Sequence, residues 1–169
     1  IDKVAYENVL RTIRSASVTT PPFFVVDILS IQNNLGSSSD CIIGVALYQY
    51  SYIKANALTN QLIHYENEQV YDNYISGVWQ NPYETGYTLA FSPQDTIFDS
   101  TVNFTFPDNI WKSNISLSKI EFDAGDGYGY RTISKGSSLT VNYGSTGIRE
   151  LKLKVTLNNG VILQGHTLI

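Results

Sequence analysis

Methionine is absent from the 169 residues, cysteine occurs once, proline five times, and only 15% of residues are charged. The lone Cys41 excludes an internal disulfide framework and any CxxC or CxxH metal spacing. It precedes Ile42-Ile43 and reads as a buried strand residue, because unpaired cysteine is among the most buried residue types. Long apolar runs are also missing: stretches such as Phe23-Phe24-Val25-Val26 are far too short to cross a bilayer as a helix. The formal charge of −4 leaves no basic cluster to face phosphate, so a nucleic-acid partner is not expected, nor is membrane insertion. With no methionine there is no initiator; the chain is expected to be a processed or excised segment, and trimming would also have removed a signal peptide.

What is present is apolar and aromatic. Hydrophobic residues make up 43%, and tyrosine supplies 12 of the aromatic rings beside 7 Phe and 2 Trp. That composition suits one compact domain or two small ones and excludes a disordered tail. Near the start, Tyr6, Val9, Leu10 and Ile13 recur at spacings of three and four behind Asp2 as N-cap, which predicts a short amphipathic helix over residues 2–15. After Pro21-Pro22 the period drops to two. Residues 23–31 read as a buried strand, 32–40 as a polar loop, and 41–53 as a long strand on which Tyr48, Tyr50 and Tyr52 share one face. Residues 62–71 read as a further strand, 73–86 as a loop rich in Asn, Gly, Pro and Tyr, and 87–91 as a short closing strand.

From Ser92 the rhythm becomes regular. TVNFTF (101–106) alternates, with Val102, Phe104 and Phe106 on one face; strands over 117–122, 130–133, 138–143, 150–157 and 161–166 follow, each bounded by a turn signal. Short strands with turns about every ten residues predict an antiparallel sandwich. The expected fold class is therefore all-β: a Tyr-rich β domain over 1–92, with its short N-terminal helix, followed by a β-sandwich over 93–169.

The stretch Phe122-Asp123-Ala124-Gly125-Asp126-Gly127 resembles the W-D-F-G-D-G signature of PKD domains, which are Ig-like β-sandwiches. Val141-Asn142-Tyr143 with Gly147 resembles that family's H-x-Y…G element, and residues 151–160 resemble its penultimate strand and closing hairpin. The likeness covers roughly residues 94–169. Phe122, Ala124 and Val141 replace the Trp, Phe and His of the pattern, so the core there packs differently and PKD-like is the fitting term. Upstream, residues 50–72 and 91–111 resemble segments of large secreted or surface-bound multidomain proteins of Bacteroidetes, where they precede a G-D-G-x-G-[YW]-R-[ST] element, here residues 125–132. This resemblance implies export and a place beside neighbouring domains of a longer chain. Asp95-Thr96-Ile97 looks like the short O-glycosylation sequon of that phylum; Asn103-Phe104-Thr105 and Asn114-Ile115-Ser116 match the N-linked sequon, a chance match in a bacterium.

Several constellations bear on chemistry. Asp123 and Asp126 are candidate oxygen ligands for calcium, the alternative being a glycine-rich turn in which each Asp bonds nearby backbone. His64 and His166 are the only histidines; no GxSxG elbow accompanies them, and nothing local joins Cys41 to His64 as a nucleophile pair. Glu66 and Glu68 would share a strand face about 6.6 Å apart, near the spacing of glycosidase carboxylates, or be an ordinary solvated face. No complete acid–base or nucleophile set emerges, so the expectation is not an enzyme. Tyrosine is the informative residue. Tyr48, Tyr50 and Tyr52, spanning about 13 Å of strand, with Trp79 and Tyr83 in the Asn-Pro-Gly loop and Tyr128 at the GDG turn, are the candidate ligand-binding rings. Exposed and co-planar, they would serve a carbohydrate-binding module; packed away, they would serve a structural spacer with an adhesive or protein-interaction surface, the first expectation.

Overall fold

The computed structural model describes residues 3–17, 41–93, 97 and 99–169. The Asp2 cap, the strand and loop expected over 23–40, and Asp95 and Thr96 lie outside the described residues. The order is α1 (Lys3–Ser15), β1 (Cys41–Ile42), β2 (Gly44–Ile53), β3 (Ile63–Glu66), β4 (Gln69–Asp72), β5 (Tyr74–Ile75), β6 (Val78–Trp79), β7 (Tyr83–Ser92), β8 (Thr101–Thr105), β9 (Trp111–Ser113), β10 (Leu117–Asp123), β11 (Arg131–Ile133), β12 (Ser138–Asn142), β13 (Glu150–Leu157) and β14 (Ile162–Leu168). The chain is thus predominantly β with one short α-helix, as the composition and alternation require.

Contacts divide it into two units: Ile1–Tyr48 with Thr88–Ile169, and Gln49–Tyr87. This differs from the expected division at 92/93. Strand β1 pairs with β8 (Cys41↔Phe104) and β2 with β9 (Val45↔Trp111), both parallel. Such long-range ladders leave no trace in local rhythm, and parallel pairs need long crossovers rather than hairpins.

Three sheets draw on the first unit: β1-β8-β12, β11-β10-β13-β14 and β7-β2-β9. Strand β13 alternates as sequence dictates: Leu151, Leu153, Val155 and Leu157 are buried, while the lysines and threonine between them are half-buried. The Phe122 ring of β10 lies 5.1 Å from both Phe104 of β8 and Phe106, so rings from the first two of these sheets meet in one core. Helix α1 contributes Tyr6 and Leu10, which pack with Ala46, Tyr48, Ala90 and Ile110. Gly44 makes room for it: a Cβ there would sit 3.2 Å from the Tyr6 ring.

The second unit holds two hairpins between the end of β2 and the start of β7. Within the expected strand 62–71 the chain reverses at Asn67-Glu68, pairing β3 with β4 (Glu66↔Gln69). The expected loop 73–86 holds a second hairpin, β5 with β6 (Tyr74↔Trp79), reversing at Ser76-Gly77. All four turn residues have positive φ (49°, 64°, 51° and 80°), the requirement of a two-residue type I′ turn.

Candidate binding surface

Strand β2 carries its first five residues buried and its last five exposed. Tyr48 belongs to the buried half at 5% exposure, whereas Tyr50 and Tyr52 are 49% and 43% exposed. Alternation alone puts these three rings on one face, but the face changes character along its length, so Tyr48 is a core residue and not a ligand-facing ring. Burial pushes its phenol up to about 12. Burial, and then the neighbouring Tyr48, raise the phenol of Tyr6 as well.

The Tyr50 and Tyr52 rings stand 5.9 Å apart at 43°. A Cβ on Gly86 would fall 2.5 Å from the Tyr50 ring, so glycine is what lets this ring lie close on β7. The Tyr52 phenol is raised by desolvation and by its hydrogen bond with Glu84. Glu84 and Gly86 therefore lie on the side of β7 occupied by Tyr50 and Tyr52, and Tyr83, one residue from Glu84, points to the other side.

Tyr83 (38% exposed) meets Trp79 (44% exposed), with ring centroids 6.4 Å apart at 38°. Trp79 Nε1 donates to Asp72 Oδ2 at 2.8 Å. Asn81 Oδ1 accepts the Tyr83 amide at 2.9 Å, fixing the backbone where β7 begins. The exposed Tyr74 sits directly across the β5–β6 ladder from Trp79. Neither Tyr74, within the expected loop 73–86, nor Asp72, just before it, is among the sequence-derived site residues; Ser76-Gly77 between YI and VW is the hairpin signal that points to Tyr74. The structure thus brings the candidate rings together as two tilted pairs, not as one row.

On the neighbouring hairpin, His64 hydrogen-bonds Asn73 and stacks on Tyr71, centroids 5.6 Å apart at 26°. Glu66 and Glu68 do not share a strand face, because Glu68 is a turn residue. The carboxylate pairing expected from an unbroken strand is absent for that reason.

In the first unit, Tyr128 is 82% exposed at the GDG turn. Asp123 Oδ1 accepts the Gly125 amide at 2.9 Å and Asp126 Oδ1 the Tyr128 amide at 3.3 Å, the Asx pattern of a tight turn. Arg131 Nη2 lies 2.8 Å from Asp126 Oδ2, a charge pair out of line for a hydrogen bond. A calcium ion here would have to share the Asp126 carboxylate with that guanidinium. Among the described residues no group of three or more His, Cys, Asp or Glu gathers to hold a metal. Tyr143 donates to the Ala124 carbonyl at 2.6 Å, and burial pushes its phenol up to about 12. Cys41 is buried in β1. An open groove of about 570 Å³ runs between residues 115–120 and 132–135. Its lysines are engaged, Lys119 with Glu121 at 2.9 Å and Lys135 over the Trp111 ring at 5.3 Å. No helix is long and apolar enough to cross a membrane among the described residues.

Compared with known proteins, the chain matches no family model, no curated protein and no solved structure.

Proposed function

We propose that this chain is a non-catalytic module of an exported bacterial multidomain protein, at the cell surface or secreted, in which the hairpin unit Gln49–Tyr87 supplies an adhesive, protein-binding surface. The carrying observation is the exposure of Tyr50, Tyr52, Trp79 and Tyr83 together with Tyr65 and Tyr74 in one small unit. Rings are left in water at a cost unless a partner covers them, and Tyr and Trp are enriched at interfaces. The first unit acts as the spacer. We read its β1-β8-β12 and β11-β10-β13-β14 sheets as the layers of an Ig-like, PKD-like sandwich, a reading supported by the ring contacts of Phe104 and Phe106 with Phe122.

The test compares adhesion of the full chain with that of a Tyr50→Ala/Tyr52→Ala/Trp79→Ala/Tyr83→Ala variant on protein-coated and on glycan-coated surfaces. Loss of adhesion to protein in a variant that still folds supports the reading; equal adhesion overturns it. Carbohydrate binding is the alternative, favoured by Trp79 and Tyr83 standing beside the carboxylate of Asp72 and the amide of Asn81. It ranks second because the rings of each pair are tilted rather than co-planar. Saturable binding to a glycan, lost with Trp79, would reverse the order. The reading requires no metal; a melting temperature raised by calcium and lowered by a chelator would add one.

A further inference from the structure

The two units treat their aromatic rings differently. Lys154 sits over Tyr130 at 4.2 Å, Arg149 over Tyr143 at 5.2 Å and Lys135 over Trp111 at 5.3 Å, all in the first unit. The ring quadrupole attracts a cation placed over its face within about 6 Å of the centroid. The hairpin unit holds more of the tyrosine and tryptophan rings, seven of the 12 tyrosines and one of the 2 tryptophans, but its sequence offers one lysine and no arginine to cover them. That lysine, Lys54, donates to the Asn81 carbonyl at 2.8 Å. Against it stand four carboxylates, Glu66, Glu68, Asp72 and Glu84.

At one place rings and carboxylate are built into a single cluster. Trp79 has Tyr83 at 6.4 Å, Tyr74 directly across the ladder, and the Asp72 carboxylate on its indole N–H at 2.8 Å. Asp72 Oδ2 takes that hydrogen bond, and a carboxylate retains lone pairs for further donors. With centroids 6.4 Å apart, a cation seated beside Trp79 and Tyr83 lies within roughly 6 Å of both rings.

We propose that the cluster of Trp79, Tyr83, Tyr74 and Asp72 is a docking site for a lysine- or arginine-bearing segment of a partner protein. The side-chain cation packs on the rings and pairs with the Asp72 carboxylate. This rests on the protein-binding reading above and names the chemistry of its partner. The net negative charge of the hairpin unit draws such a segment in and repels an acidic one.

The test uses the full chain, with a hexa-arginine peptide as probe and a hexa-glutamate peptide as control, read by the Trp79 indole N–H resonance. The expected result is a saturable shift of that resonance with hexa-arginine, none with hexa-glutamate, and binding weakened at least tenfold in Tyr83→Ala, which keeps the indole that reports. Asp72→Asn keeps an acceptor for the indole and removes only the charge, so it guards against a misfolded hairpin and is expected to weaken binding similarly. Glu68→Gln removes the same charge at a turn away from the cluster. If Glu68→Gln weakens hexa-arginine as much as Asp72→Asn does, attraction is diffuse and the proposal falls. It also falls if the Trp79 resonance never moves. In either case adhesion to protein that still depends on the aromatic rings leaves the broader reading standing; loss of that dependence removes both.

Discussion

Phe122 shows how much rests on single side chains. Its ring is fully buried and touches Phe104 and Phe106, so Phe122→Ala leaves a cavity between two sheets. We expect a loss of about 3–5 kcal/mol in urea unfolding. Glycines of the GDG turn separate two effects. Gly125 and Gly127 both have positive φ, 68° and 90°, but a Cβ at Gly125 would stand 2.6 Å from the Glu150 carbonyl oxygen and one at Gly127 meets nothing. Gly127→Ala should therefore cost about 1 kcal/mol, the backbone penalty alone. Gly125→Ala should cost more, because its clash is with backbone that cannot rotate away. Equal denaturation midpoints for the two variants would contradict this. Tyr143 adds a pH signature. Its folded-state pKa is raised to about 12 from 10.0, so its contribution is whole below pH 10 and is lost as pH rises toward 12, when the unfolded phenol ionises first. Tyr143→Phe should lose about 1 kcal/mol at neutral pH with the hydrogen bond to Ala124, and flatten the alkaline fall in stability. Glu121 acts at the opposite end of the scale. Hydrogen bonds from Lys119 and Lys154 hold its carboxyl below 4.5, so what it contributes is present above the unfolded value and lost as pH falls through the lowered one.

Among the elements, the strands of the first unit were the most legible. The expected 150–157 is the observed Glu150–Leu157, because one face is buried along its whole length and alternation then maps directly onto burial. The helix was legible for the same reason at a different period: Tyr6 and Leu10 are buried, four residues apart. The hairpins of Gln49–Tyr87 were not. Their strands are two to four residues long and exposed on most positions, so burial imposes no period. Asn67-Glu68 does not look like a turn, because Glu is a poor choice at positive φ. That mismatch gives a prediction: Glu68→Gly, which creates the Asn-Gly pair favoured in type I′ turns, should stabilise the β3–β4 hairpin by about 0.5–1 kcal/mol. Slower amide exchange along β3 and β4 would register it.

For the molecule as a whole, the unit Gln49–Tyr87 has almost no core of its own; its buried apolar residues are Ala57, Ile63 and Pro82. Chains below about 40 residues rarely fold without disulfides, metals or partners. A peptide of residues 49–87 should therefore lack a strand signature in circular dichroism, and a folded peptide would refute the argument. By itself the sequence determined the β character, the helix, the strands after Ser92 and the concentration of tyrosine before Tyr87, since each follows from composition or from a period enforced by burial. Only the tertiary structure decided that Tyr48 is core while Tyr50 and Tyr52 are exposed, that β1 and β2 pair in parallel with β8 and β9, and that Asp72 meets Trp79. Those outcomes depend on which distant residues arrive at a face, and a local pattern records the face without recording what covers it.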